Sequence, residues 1–396
     1  MTRLLIVSHT PHYLHNGQTV GWGATVREID HLSTLFQSVV HVAPLHGGPA
    51  DESALPYESP RVRLVPVAPA GGTTWASKLG ILTRLPQYWR AIRRELDSAD
   101  VVHIRCPSNI SMLALAMLAT SNGSRRLWFK YAGNWRPDGP EPFSYRLQRW
   151  WLAKGWHRGL VTVNGSWPEQ PPHVVTFFNP CLTEAELQAG SEAATGKALE
   201  PPVHLLFVGR VDEAKGAGRL IEIGRRLMEL GVDYTLDLVG DGPNRAVFES
   251  TARAAGIEHR ICFHGWLPRS SLGEFYRQAH LLVLPSKTEG WPKVLSEGMA
   301  YGVVPVASHV GAIPQTLGQF GVGRCLPAHD IAGFSQTIAA YCATPERWHH
   351  ESQAAVRAAQ NFSYANYLAA VRSLLALDDV AGRASESVLC GAQESS

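Results

Sequence analysis

The sequence predicts an α/β protein of two doubly wound domains facing each other across a cleft, and three observations carry that expectation. At 396 residues the chain is too long for one ordinary domain and suits two. Short apolar runs alternate with amphipathic stretches along both halves, the pattern of parallel strands joined by helices. Between the halves, residues 181–202 are rich in Glu, Ala, Gly and Thr without strong periodicity and end in a double proline, as an inter-domain linker does.

Composition narrows the function. Hydrophobic residues make up 45% and charged residues 18%, so a packed soluble protein is expected. A net charge of +2 is too mild to make nucleic acid the main partner. The six cysteines, Cys106, Cys181, Cys262, Cys325, Cys342 and Cys390, form no CxxC pair. That pattern fits a reducing compartment and argues against a zinc site or a disulfide framework. No apolar run is long enough for a membrane span, and the N-terminus enters a strand without a signal peptide, so a cytoplasmic protein is expected.

In the first domain, residues 1–180, strands are expected near 3–8, 39–43, 62–67, 101–105, 126–131, 161–164 and 174–178. Helices are expected near 24–36, 77–96, 110–120 and 143–156. Gly17, Gly21 and Gly23 precede the first helix and read as a glycine-rich loop that lets backbone amides approach a phosphate or sugar, although the third Gly of a GxGxxG fingerprint is absent.

The second domain, residues 203–360, is more regular. Strands are expected at 204–208, 235–239, 261–263, 280–284 and 303–307, with helices between them. A Ser271-x-x-Glu274 capping box is expected to start the helix of 272–279. Pro292 suits the first position of a helix running to Tyr301, with Gly302 as its cap. In such a run of βαβ units every strand-to-helix loop opens on one edge of the sheet, where ligands bind. The pattern weakens after Val310. Residues 362–377 form a last amphipathic helix, and the composition of 378–396 predicts disorder.

At the shared edge the loop after the first strand, GRVDEAKG, carries Arg210 and Lys215, flanked by Gly209 and Gly216. Two cations on one loop suit a diphosphate, with Arg supplying a bidentate fork. No Asp-x-Asp pair of the kind that holds a divalent ion on a diphosphate is found, so no metal or cofactor is expected. Glu289 lies on the loop of residues 286–291, and Glu297 stands in the helix that follows. A carboxylate near a helix N-terminus accepts a ribose diol well. The plainer reading of Glu297 is a surface pair with Lys293 four residues earlier.

Here the sequence resembles the retaining glycosyltransferases of the GT-B fold, in particular the large family-four group, the glycosyl transferases group 1. Their E-x7-E signature is met by Glu289 and Glu297 in EGWPKVLSEGMAYGVVPVAS, and their diphosphate-binding Arg and Lys by Arg210 and Lys215 in FVGRVDEAKG. The VGDGP run from Val239, with Gly240, and the HGWLP run from His264 also match. The resemblance is close over residues 205–317 and only by pattern in the first half. It implies transfer of a hexosyl group, with anomeric retention, from a nucleoside-diphosphate sugar to a hydroxyl of a saccharide or lipid-linked acceptor. It implies Glu297 at the ribose, Glu289 at the donor sugar, and the backbone of Trp266 and Leu267 at the base. The stretch Gly290, Trp291, Pro292, Lys293 and Val294 would cover the sugar and phosphates, Gly21 and Gly23 would line the donor side, and the last helix would cross back to the first domain.

The first domain departs from the family at one place. Many members carry a His-x-His pair where this chain reads HIRCP, so His103 keeps the first position and Arg105 replaces the second. His103 is the candidate catalytic histidine, with His9 and His12 as others. Arg105, Asn109 and Asn134, the last in the loop of residues 131–135, are candidates for the acceptor side. The Arg105 replacement keeps two alternatives open, a GT-B nucleotide-sugar epimerase and a catalytically silent sugar-nucleotide-binding relative. The basic stretch Arg146–Arg158, with Trp150, Trp151 and Trp156, is a candidate for peripheral contact with the inner membrane face. The preferred reading is the plainer one, that these tryptophans fill the core.

Overall fold

The computed structural model describes residues 2–70, 75–121, 123–137, 139 and 141–377. The tail of 378–396, Cys390 included, lies outside the described residues, as does part of the loop before the second long helix.

The chain runs through β1 (Arg3–Val7), β2 (His12–His15), β3 (Gln18–Trp22), α1 (Gly23–Ser33), β4 (Ser38–Pro44), β5 (Ala54–Pro56), β6 (Val62–Val67) and α2 (Trp75–Leu96). It continues through β7 (Val101–Cys106), α3 (Asn109–Ala119), β8 (Arg126–Tyr131), α4 (Phe143–Lys154), β9 (Leu160–Val163), β10 (Val174–Thr176) and α5 (Glu184–Ala194). The second half begins with β11 (Val203–Val208), α6 (Ala217–Glu229), β12 (Tyr234–Val239), α7 (Arg245–Ala254), β13 (Ile261–Gly265), α8 (Arg269–Gln278), β14 (Leu281–Leu284) and α9 (Lys293–Ala300). It ends with β15 (Val304–Ser308), α10 (Ile313–Phe320), β16 (Arg324–Leu326), α11 (Ile331–Ala343), α12 (Pro345–Ala359) and α13 (Tyr364–Leu374).

Two parallel sheets result. The first has seven strands in the order β10-β9-β8-β7-β1-β4-β6 and the second six, β13-β12-β11-β14-β15-β16. Each order reverses direction beside its first strand, which opens a crevice at the carboxyl ends of the central strands. The central strands are buried on both faces, so they read as continuous apolar runs: Leu4, Leu5, Ile6 and Val7 in β1, and Leu281 through Leu284 in β14, are all at or near zero exposure. The two-domain α/β expectation therefore holds.

Four local expectations do not. The glycine-rich stretch before α1 is an antiparallel hairpin, β2 with β3, extended by β5. A Cβ on Gly21 would lie 2.5 Å from the His12 ring and one on Gly23 2.4 Å from the Ser53 carbonyl oxygen, so both glycines permit close packing of that hairpin. The stretch of 181–202 is not a loose linker. It holds α5, started by a complete capping box in which the Thr183 side chain accepts from Glu186 N–H and Glu186 returns the bond to Thr183 N–H. Leu187 of α5 joins the core of the second domain. Helix α8 begins at Arg269 after Pro268, ahead of the expected Ser271 cap. Pro292 occupies the cap position of α9, one residue before the helix proper.

Helix α13 does cross back. Its Tyr367 and Val371, with Leu375 just beyond, pack with Leu4, Ile6, Ile29 and Trp128 of the first domain. The preceding Phe362 belongs to the second domain, stacked on Trp291 with ring centres 5.1 Å apart.

Candidate active site

The loops at the carboxyl ends of the two sheets meet. Gly290, after β14, fits against the loop after β8: a Cβ there would lie 2.6 Å from the Ala132 carbonyl oxygen and 3.2 Å from Asn164 Nδ2. Ser166 N–H, after β9, donates to Gln315 Oε1 of α10 at 2.8 Å. The cleft is therefore lined by both domains.

On the second-domain wall, two loops are tied together. Lys287 N–H donates to the Ala214 carbonyl at 2.8 Å, and a Cβ on Gly216 would lie 2.4 Å from the Pro285 carbonyl oxygen. Gly216 also needs its positive φ of 95° to start α6. This junction brings Lys215 and Glu289, 74 residues apart in sequence, to a 2.6 Å Nζ–Oε1 contact. Arg210 stands beside them, with Nε on Asp212 Oδ2 at 2.5 Å, and its guanidinium is 70% exposed. Each cation is thus paired with a carboxylate, Arg210 with most of its side chain still open to a ligand and Lys215 with a partner that a ligand can displace. Gly240 supports the same edge: a Cβ there would lie 1.9 Å from the Gly209 carbonyl oxygen, so only glycine lets the loops after β11 and β12 touch.

Glu297 is buried within α9. Arg269 donates to its Oε1, and the Tyr276 hydroxyl donates to Oε2 at 2.9 Å. The surface pair with Lys293 does not form. Lys293 crosses the cleft instead, donating to the Ala24 carbonyl at 3.3 Å and standing 3.8 Å from Glu28. Trp291 turns inward, donating from Nε1 to Ser296 Oγ at 2.8 Å, and Val294 packs on the second-domain core. Trp266 and half-buried Leu267 follow β13, with Trp266 exposed.

On the first-domain wall the central group is Glu28, which the sequence reading passed over. Its carboxylate is 1% exposed and takes Arg105 at 2.7 Å, Lys130 at 2.7 Å and the Tyr367 hydroxyl at 3.3 Å. Burial alone would raise its pKa, but Arg105, Lys130 and Lys293 together hold it well below the usual carboxylate range. Burial, reinforced by Arg105 and Lys293 and opposed by Glu28, brings Lys130 down to about 7. A signal was present: Glu28 stands on the α1 face that buries Thr25 and Leu32.

Among the histidines, His103 is fully buried and stacked on Trp128 at 3.7 Å, so it does not reach the cleft. Arg105, two residues on, lies on the same face of β7 and meets Glu28. His9 follows β1 with its edge open to solvent, and desolvation by the surrounding chain, then the Arg105 charge, lowers its pKa. His12 is buried, stacked with Tyr57 and edge-on to His41. Asn109 begins α3, and Asn134 Oδ1 accepts from Arg136 N–H at 3.0 Å in the loop facing Gly290.

Among the described residues, Asp237, Cys262 and His264 are the side chains close enough to share a metal ion. They lie within β12 and β13, outside the Arg210 and Glu289 loops.

Two parallel-sheet domains closed on a cleft, with paired cations and a carboxylate on one wall, define the GT-B architecture. Residues 192–359 match the model of the glycosyl transferases group 1. It is 29% identical to the D-inositol 3-phosphate glycosyltransferase of Kribbella flavida over 217 residues, 52% of this chain and 50% of that one. It is 27% identical to the protein of the same name from Corynebacterium kroppenstedtii over 274 residues, 64% of this chain and 60% of that one. The chain spans about half the length of the curated relatives it matches. Among solved structures it resembles sucrose-phosphate synthase from Thermosynechococcus elongatus, with a TM-score of 0.68 at 18% identity over 96% of this chain and 100% of that one. It likewise resembles Anabaena HepE in complex with UDP and glucose, with a TM-score of 0.65 at 14% identity over 95% and 100%. These likenesses establish the fold.

Proposed function

We propose that the protein transfers a hexosyl group, with anomeric retention and without a metal ion, from a nucleoside-diphosphate sugar to a hydroxyl of a saccharide, cyclitol or lipid-linked acceptor. The observation that carries this reading is the Lys215–Glu289 contact beside exposed Arg210 at the cleft edge. An arriving diphosphate competes for Lys215 and binds Arg210, and Glu289, released, accepts a hydroxyl of the donor sugar. As the bond from the anomeric carbon to the diphosphate oxygen breaks, the charge growing on that oxygen is stabilised by the two cations. The acceptor oxygen attacks from the same face, and its proton passes to the departing diphosphate. Glu297, fixed by Arg269 and Tyr276, keeps lone pairs for a ribose hydroxyl. Closure of Gly290 onto Ala132 excludes water and limits donor hydrolysis.

The acceptor lies on the first-domain wall, where His9, Arg105 and the loop of residues 131–135 face the donor. Arg105 and Lys130 share the single carboxylate of Glu28 on that wall, and Lys293 reaches it from the second domain, so cations outnumber carboxylates there. A phosphorylated cyclitol, the substrate class in the names of the curated relatives, is therefore the acceptor to test first.

The test is calorimetric titration with a panel of nucleotide sugars, with and without EDTA, followed by product analysis. One donor is expected to bind, EDTA to change nothing, and Arg210→Ala to weaken binding by roughly tenfold or more. Absence of binding by every nucleotide sugar, or an unaffected Arg210→Ala, overturns the reading. An isomerised free nucleotide sugar identifies an epimerase instead, and binding without turnover a silent relative.

A further inference from the structure

Helix α4 does not bury its tryptophans as expected. Trp151 leans on the first-domain core, but Phe143 is 67% exposed, Trp150 45% and Trp156 53%. These rings form one surface. Phe143, Arg146, Trp150 and Lys154 follow each other at helical spacing along one side of α4. Trp156, in the turn beyond Gly155, reaches back to meet Trp150 edge-on at 4.9 Å. Arg146 lies over the Phe143 ring at 5.5 Å. Arg146, Lys154 and Arg158 are exposed among the rings.

Charge decides what this surface fits. No Asp or Glu occurs between Glu141 and Glu169, and Glu141 is held by Arg149. Exposed indoles interleaved with cations, without an acid, suit the headgroup layer of an anionic bilayer: the rings enter the interface and the cations meet lipid phosphates. The opposite side of α4 ties this surface to the fold. Leu152 is fully buried, and Gln148 accepts from Ser108 N–H and the Ser111 hydroxyl through Oε1. The surface is therefore rigid.

We infer that the exposed side of α4 with Trp156 is a docking surface for an anionic phospholipid bilayer, on which the first domain lies with Phe143, Trp150 and Trp156 in the headgroup layer. This attachment is independent of the transfer reaction. It places the loop after β8, which α4 follows in the chain, near the lipid surface.

The experiment is co-sedimentation of the full chain with vesicles of phosphatidylcholine alone or containing phosphatidylglycerol, in low and high salt. Two variants are compared, Trp150→Ser with Trp156→Ser, and Arg146→Glu with Lys154→Glu. Near-ultraviolet circular dichroism checks their folding. The wild type is expected to bind the phosphatidylglycerol vesicles, to bind phosphatidylcholine about tenfold less, and to be released by salt. Each variant is expected to lose roughly tenfold or more of the binding. A wild type that stays in the supernatant overturns the proposal, and so do folded variants that sediment as the wild type does. A wild-type dimer that the tryptophan substitutions dissociate, with no vesicle binding, assigns the surface to a second copy of the chain.

Discussion

Glu28 shows how one side chain can hold a wall of the cleft. It neutralises Arg105 and Lys130 inside the first domain and attracts Lys293 from the second. Removing one member of a buried ionic group leaves the others uncompensated, which costs about 3–5 kcal/mol. Glu28→Gln is therefore expected to lower unfolding free energy by that order, measured in urea. An unchanged midpoint would mean that Lys130 and Lys293 are neutral in the native state. A second residue-scale prediction concerns acid. The His12 Nδ1–H donates to the Thr10 carbonyl at 2.9 Å, so Nε2 accepts from the Tyr57 hydroxyl at 3.0 Å. His41 continues the chain, with Nδ1 2.6 Å from the Tyr57 hydroxyl and Nε2 2.7 Å from Ser8 Oγ, which donates its proton to Thr10 Oγ1. Burial lowers His12 from 6.5 to about 4 and holds His41 well below its ordinary value. The unfolded chain thus takes up protons first as pH falls. Stability is full above pH 6.5 and is lost between there and about 4, with His12 accounting for at most about 3 kcal/mol. Thermal midpoints that stay flat over this window would contradict it. Arg210, Lys215 and Glu289 were legible because each lies beside glycines that mark its loop. The Glu28 group was not, because its members lie 77 and 102 residues from Glu28 and meet only through the sheet.

Among the elements, the central strands of the two parallel sheets were the most legible, since burial on both faces writes them as unbroken apolar runs, whereas the half-exposed β2, β3, β5 and β16 carry no such run. Short caps were read less well. Thr183-x-x-Glu186 is a capping box in a stretch whose composition suggested a linker, and α5 uses it to dock Leu187 on the second domain. Thr183→Ala is expected to cost about 1 kcal/mol, read from the urea midpoint. The loop between β14 and α9 carries the sharper prediction. Gly290 touches the Ala132 backbone, so Gly290→Val pushes the two walls apart while leaving Arg210 and Lys215 in place. Turnover is expected to fall by roughly a hundredfold, as a displacement near 1 Å does, with donor affinity within a few-fold of the wild type. Equal losses in both would place Gly290 in donor binding rather than closure.

For the whole molecule, the question is what makes two domains one cooperative unit. The chain crosses between them twice, after β10 and again at α13. The second crossing is the structural one. Phe362 belongs to the second core, and five residues later Tyr367 enters the first, beside Leu4, Ile6 and Trp128. Its hydroxyl also reaches Glu28 at 3.3 Å. Ending the chain at Ser363 strips the cover from that face of the first sheet but leaves Phe362 on Trp291. Exposing several core side chains, each contributing about 1.5–3 kcal/mol of burial, takes most of the stability of an ordinary domain. The truncated chain is expected to show two separate transitions in calorimetry. The first domain melts early, and the second melts near the wild-type temperature and still binds the donor. A single transition shifted as a whole would mean that the cleft contacts, Lys293 to Ala24 and Gln315 to Ser166, couple the domains without α13.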